Sequence, residues 1–273
     1  MFGSPWLRKA PVAFLLIMMI ALVGCESDAP TTPENGATDA APLLPNATRL
    51  NFDLSFFAPG EELEKSGDKS HDNFVNAYLR AVVLEAMAHL VLTPPVAAFS
   101  LALNTPPSLQ DDGSWIWVYT FVDGDEEVQI RLRGLPIGDR VAWELWVSAT
   151  DTDPPLDEAL WFYGTTREDG DEGQWTFLDL EEPGHPVCGE IAWGSDALGD
   201  YLTFTSRELD SDGDTLRFTD ANPDFSIAYT DDSSGEQWFI RWHADGSGSL
   251  RVPDYNGGDE ACWDDRQRDI DCN

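Results

Sequence analysis

Residues 72–92 read DNFVNAYLRAVVLEAMAHLVL, and the fold turns on what that run is. Asn73, Asn76 and Arg80 make a short polar strip, while Phe74, Val75, Tyr78, Leu79, Val82, Val83, Leu84, Met87, Leu90 and Val91 are apolar. A helix apolar almost all round is either buried or membrane-spanning. Arg80, Glu85 and His89 argue against a span, because ionisable groups at mid-bilayer are costly. The run therefore predicts a core helix. Within such a core, Leu79→Ala should cost about 2–5 kcal/mol and Val82→Ala less. Ser70 or Asp72 can cap its start with a side-chain oxygen. Thr93-Pro94-Pro95 should stop it, since proline lacks the N–H and clashes with the preceding turn. The next apolar run, Val96 to Leu103, reads as a second helical segment, with a strand as the alternative.

Downstream of that helix the hydrophobic period changes from 3.6 to 2. Trp115, Trp117, Tyr119 and Phe121 share one face; Val128, Ile130 and Leu132 follow, with Gln129, Arg131 and Arg133 on the other face. Val141, Trp143, Leu145 and Val147 continue the pattern, which persists to Leu250 and Val252 and gives about eleven candidate strands. Between them stand tight-turn sequences such as Asp123-Gly124-Asp125, Ile137-Gly138-Asp139 and Asp212-Gly213-Asp214. Glycine supplies positive φ there, and aspartate bonds its own backbone. Connections this short force antiparallel neighbours, because parallel strands need a crossover of a dozen or more residues. A large twisted sheet tends to curl. The expected fold is mainly β: an antiparallel up-and-down meander of about eleven strands, curled into an incomplete barrel around one long N-terminal helix.

Upstream, Arg8 and Lys9 precede the apolar run Val12 to Val23, the layout of a secretory signal. It ends in Leu22-Val23-Gly24-Cys25. That tetrapeptide resembles the lipobox of bacterial lipoproteins. The resemblance implies a signal peptide over residues 1–24, cleavage before Cys25, and acyl chains on Cys25 as a membrane anchor. At about 0.8 kcal/mol per buried CH2, several chains suffice for stable residence in a bilayer. The alternative is an uncleaved N-terminal membrane helix. Residues 25–49, rich in Pro, Thr, Ala and acids, read as a disordered tether. The domain proper should then run from 50 to 273, with a cap over 253–273 at its C-terminal end. An exported chain of antiparallel strands over helices also resembles, in architecture alone, the LolA/LolB type of lipoprotein carrier; that likeness implies an apolar ligand held within the sheet.

The charge is extreme: 50 acidic residues against 16 Lys and Arg, for a net −34. Nucleic acid and anionic lipid surfaces are disfavoured as partners, since both need a basic footprint. The balance suits solubility, or a halophilic source in which salt screens the self-repulsion. With Cys25 lipidated, Cys188, Cys262 and Cys272 remain, and an exported protein sees an oxidising compartment. A Cys262–Cys272 disulfide is expected, with a turn at Asp264-Asp265 and Cys188 a free, buried thiol. The cysteine spacings do not make a zinc site.

No GxSxG, HExxH, P-loop or GxGxxG motif is present, so the chain is read as a non-enzyme with no catalytic residues, metal or cofactor. Glu85 and His89 share a helix face at i, i+4 and could be a proton-transfer pair, but a buried, satisfied polar pair is the simpler account. Asp210-Ser211-Asp212-Gly213-Asp214 starts like a calcium loop, yet Thr215 and Ala221 stand where an EF-hand needs Gly and Glu. Trp146, Trp161 and Tyr163 fall on the parity opposite to the inward set and would form an outer aromatic patch, the sort that marks a partner surface. A bulge between 150 and 160 would instead swap the parity and bury Trp161 and Tyr163. The functional expectation is an envelope lipoprotein, held in the outer membrane rather than the inner, that binds or scaffolds an envelope protein partner. Carriage of an apolar ligand is the alternative, and a carbohydrate-active enzyme comes after it.

Overall fold

A computed structural model describes residues 40–45, 55–57, 70–123 and 126–272, and within the helix no side chain from 83 to 95. The signal, Cys25 and most of the tether lie outside the described residues, as do the side chains of Glu85 and His89. The described chain forms a short 3-10 turn (Ser55–Phe57), one α-helix, α1 (Asp72–Ala102), and then strands. These are β1 (Ser108–Leu109), β2 (Trp115–Asp123), β3 (Glu126–Ile137), β4 (Arg140–Ala149), β5 (Leu156–Arg167), β6 (Gly173–Leu178) and β7 (Val187–Asp196). They continue as β8 (Gly199–Ser206), β9 (Thr215–Asp220), β10 (Asp224–Thr230), β11 (Gln237–His243), β12 (Gly248–Arg251), β13 (Ala261–Trp263) and β14 (Asp269–Ile270). Sheet order equals chain order from β1 to β14, and the sheet is open.

The described chain is thus mainly β, an antiparallel meander, with fourteen strands among the described residues where the periodicity predicts eleven. The eleven are β2 to β12. The missed strands, β1, β13 and β14, have two or three residues each, too few to display a period.

The helix departs from expectation twice. It runs through Thr93-Pro94-Pro95 to Ala102, so the second helical segment is its continuation. Proline's fixed φ is compatible with a helix, and what it removes is hydrogen bonding to the preceding turn. Burial of Ala98, Phe99 and Ala102 holds the segment beyond the prolines. Nor is the helix buried all round: Phe74, Ala77 and Ala81 are buried, but Leu79 is 56% and Val82 40% exposed. The small side chains face the sheet because they admit close approach, and bulk at positions 79 and 82 is left outside. The large costs expected for Leu79→Ala and Val82→Ala do not hold.

Contacts divide the chain into two compact units. In the first, which includes Thr93–Gly170, the core is built on Trp143, fully buried on β4. Its ring meets Phe99 edge-on at 5.2 Å and Trp117 at 5.9 Å, and its indole N–H donates to the buried Thr166 hydroxyl at 2.9 Å. Gly134, paired with Trp143 across β3 and β4, leaves room for that ring: a Cβ there would lie 2.7 Å from Cζ3.

In the second unit, which includes Thr48–Leu92 and Val187–Asn273, the start of α1 packs on β9 to β13. Phe57, Phe74, Trp242 and Trp263 are buried together there, with Phe57 edge-on to Trp242 at 4.9 Å and Phe74 edge-on to Trp263 at 5.8 Å. Trp175 and Trp193, from β6 and β7, pack at 4.7 Å. Buried aromatic pairs of this geometry add about 0.5–1.5 kcal/mol beyond their area.

Candidate partner surface

The outer face of β2 to β5 carries Trp146 and Tyr163, two of the three aromatic residues singled out in the sequence. Strand pairing sets two rows across it. One runs Val118, Arg131, Trp146, Leu160; the next runs Ile116, Arg133, Glu144, Tyr163. The register of β5 against β4 shifts twice, once between Leu145 and Trp146 and once between Val147 and Ala149. The first shift leaves Trp161 as the extra residue of a bulge; the second places Glu158 at φ +46° opposite Ser148, whose hydroxyl accepts the Glu158 amide at 3.0 Å. Each bulge alone would invert the parity of the strand, and two of them restore it. Ala159 and Phe162 are accordingly buried, Trp146 and Trp161 are half-buried, and Tyr163 is 42% exposed.

Charged groups knit this face together. Arg131 lies over the Trp146 ring, 5.2 Å from its centroid, and its guanidinium meets Glu158 at 3.4 Å. Arg133 bridges Asp112 at 2.9 Å and Glu144 at 3.0 Å. The Ser114 hydroxyl and amide, and then Arg133, hold the Asp112 carboxyl down at about 2. Two donors, Arg131 Nε and Trp146 Nε1, are covered by neighbouring atoms and have no acceptor. Burying a donor without an acceptor costs about 1–3 kcal/mol. Arg131 and Arg133 were legible as outward by strand parity; Glu158 was not, because the bulge that turns it outward leaves no mark in the alternation.

The second cluster is at the tail. Cys262 and Cys272 form a disulfide with Cα atoms 5.3 Å apart, and Cys188, outside that bond, is half-buried rather than buried. Between the two cysteines the chain turns at Asp264, whose carbonyl accepts the Gln267 amide at 2.8 Å. The hairpin closes on the start of α1. Asp269 accepts the amides of Asp72 at 3.2 Å and Asn73 at 3.0 Å, doing from 197 residues away what an N-cap does locally. Ser70 Oγ also accepts the Asp72 amide at 3.2 Å, so one of the two predicted caps is present and the stronger partner was missed. Asn73 donates to the Cys262 carbonyl at 2.8 Å and accepts from Tyr255 at 2.7 Å, while Arg80 pairs with Asp254 at 2.8 Å. A shallow depression of about 500 Å3 beside the bond is lined by Asn73, Asn256, Glu260, Asp269, Asp271 and Cys272.

Asp264 gives the hairpin a pH dependence. Hydrogen bonds from the Arg268 side chain, then from the Arg268 and Arg266 amides, lower its carboxyl to about 2. A carboxylate depressed in the fold stabilises fully above its ordinary value near 4, and that stabilisation is lost as pH falls toward 2. Amide hydrogen exchange at Arg266 and Arg268 should therefore accelerate as pH falls from 4 to 2 beyond the intrinsic trend. Asp264→Asn should flatten that dependence; an unchanged profile in the variant would show the carboxylate plays no part.

The remaining candidates come apart. In Asp210–Asp214, Asp212 pairs with Arg207 at 3.4 Å, and Asp214 accepts the Tyr229 hydroxyl at 2.6 Å and the Asp232 amide at 3.0 Å. Gly213 sits at φ +90°, the tight-turn conformation that glycine adopts without strain. Among the described residues no three His, Cys, Asp or Glu are grouped to hold a metal ion, and no helix is long and apolar enough to cross a membrane.

No protein-family model, curated protein or solved structure matches this chain.

Proposed function

We propose that this protein is a lipid-anchored lipoprotein of the cell envelope, held in the outer membrane through acylated Cys25. It acts without catalysis, as a binding or scaffold module that offers the outer face of β2 to β5 to an envelope partner. The observation that carries the reading is the presence of Trp146 and Tyr163 on that face, with Arg131 laid over Trp146 and two donors unanswered. The finer architecture, a sheet curled into an incomplete barrel around α1, belongs to the same proposal. Filled interiors favour a scaffold over a carrier: Trp143, Phe162, Trp242 and Trp263 occupy space a carrier would leave open for acyl chains.

The anchor is tested by Cys25→Ser. The variant should lack acyl label and, where exported, move from the membrane to the soluble fraction. A variant cleaved after the signal yet still held in membranes would remove the lipoprotein reading.

A further inference from the structure

We infer that the occupant of the outer face of β2 to β5 is an uncharged glycan chain. The inference rests on the reading of that face as a binding surface and names the chemistry of its ligand. In a chain of net charge −34, both arginines at the centre of this face are held by carboxylates, Arg131 by Glu158 and Arg133 by Asp112 and Glu144, two cations against three acids. The surplus of acid, here and over the rest of the chain, repels a polyanion by its long-range field. An uncharged polar chain can lie on the face without either arginine leaving its carboxylates.

The pairs also argue against a protein partner. A protein interface desolvates its centre, and stripping water from these ion pairs would not be repaid by their attraction. A glycan leaves them wet, since sugar hydroxyls and bridging waters substitute for one another at little cost. The aromatic residues supply the rest. Sugar rings carry patches of C–H that pack against the flat apolar faces of Trp and Tyr, the kind of face that Arg131 now covers on Trp146. The unanswered donors, Arg131 Nε and Trp146 Nε1, want an oxygen acceptor, and a hydroxyl oxygen has two lone pairs to give. Both atoms are covered, so Arg131 must lift from the Trp146 ring as the chain docks. With Tyr163 and Val118 already exposed beside it, that movement opens a continuous strip across four strands, β2 to β5.

The experiment is affinity electrophoresis and tryptophan-fluorescence titration of the purified full-length protein against soluble dextran, laminarin and mannan. Alginate and polygalacturonate serve as the charged arm. At least one neutral polymer should retard and quench the protein, and neither charged polymer should. Trp146→Ala and Tyr163→Ala should each weaken that binding by about tenfold, some 1.4 kcal/mol, with circular dichroism spectra unchanged. Absence of binding to every neutral polymer, equal binding to alginate, or full binding by both variants overturns the inference. Failure of the underlying reading is told apart by a photo-crosslinking residue at Val118 in cells. A protein adduct that depends on Trp146 would overturn the glycan while keeping the binding surface. Absence of both adduct and glycan binding would overturn the two together.

Discussion

Trp143→Ala should destabilise the protein by about 3–5 kcal/mol. The ring is fully buried and packs between Phe99 and Trp117 over the floor left by Gly134, so its removal leaves a void rather than a surface change. The Thr166 hydroxyl loses its indole donor in the same step. Neighbouring strands cannot close the gap without breaking register with β3 and β5, which pins β4 from both sides. Leu79→Ala is the matched comparison: at 56% exposure it should change stability by less than about 1 kcal/mol. Urea unfolding followed by fluorescence and circular dichroism measures both. Equal costs at the two positions would contradict the placement of the core.

The second large effect is expected from Cys262→Ser combined with Cys272→Ser. A bridge closing a loop of separation 10 restricts the unfolded chain by about 3 kcal/mol. Its loss also loosens Asp269 from the amides of Asp72 and Asn73, and a helix cap contributes about 1 kcal/mol more. A total loss of about 3–4 kcal/mol follows, read as a lower urea midpoint. Asp269→Ala alone should show the smaller share. If the double serine variant unfolded within about 1 kcal/mol of the parent, the tail would be an ornament on the helix rather than its clasp.

The strand pattern was legible because the chain alternates over lengths that exceed one period. Trp115 to Phe121 and Val141 to Val147 could be read as strands and their inner face chosen correctly; Trp117, Trp143 and Leu145 are buried. Short strands escaped for want of length. The helix stop escaped because a proline rule counts local hydrogen bonds and cannot weigh the burial of Phe99 further along. Its girth was misjudged because apolar composition says nothing of which side meets the sheet. Ala77 and Ala81 do, and their small size is the signal that was there to read. At the candidate surface, Trp146, Arg131 and Arg133 followed from parity. Tyr163 also lies where parity put it, since two bulges in β5 invert the alternation and restore it, whereas Trp161 became the extra residue of a bulge, a backbone event with no fixed side-chain code. The Cys262–Cys272 pair was expected from export into an oxidising compartment, and the turn at Asp264-Asp265 from the need of a bridged tail to double back. That the hairpin would reach α1 was not, since nothing in a sequence marks a partner 197 residues distant.

That distance has a consequence for the order in which the molecule can be completed. The chain is delivered N-terminus first, so the opening turn of the helix waits without Asp269 while β1 to β13 are put in place. The sheet can zip up strand by strand as it emerges, each hairpin closing on the one before. Ser70 can meet the Asp72 amide from the outset, but the Asn73 amide waits for the last segment to arrive. A chain cut short before Asp269 would carry almost all of its sheet and still present a frayed helix end, a state that quality-control proteases can distinguish from the finished protein.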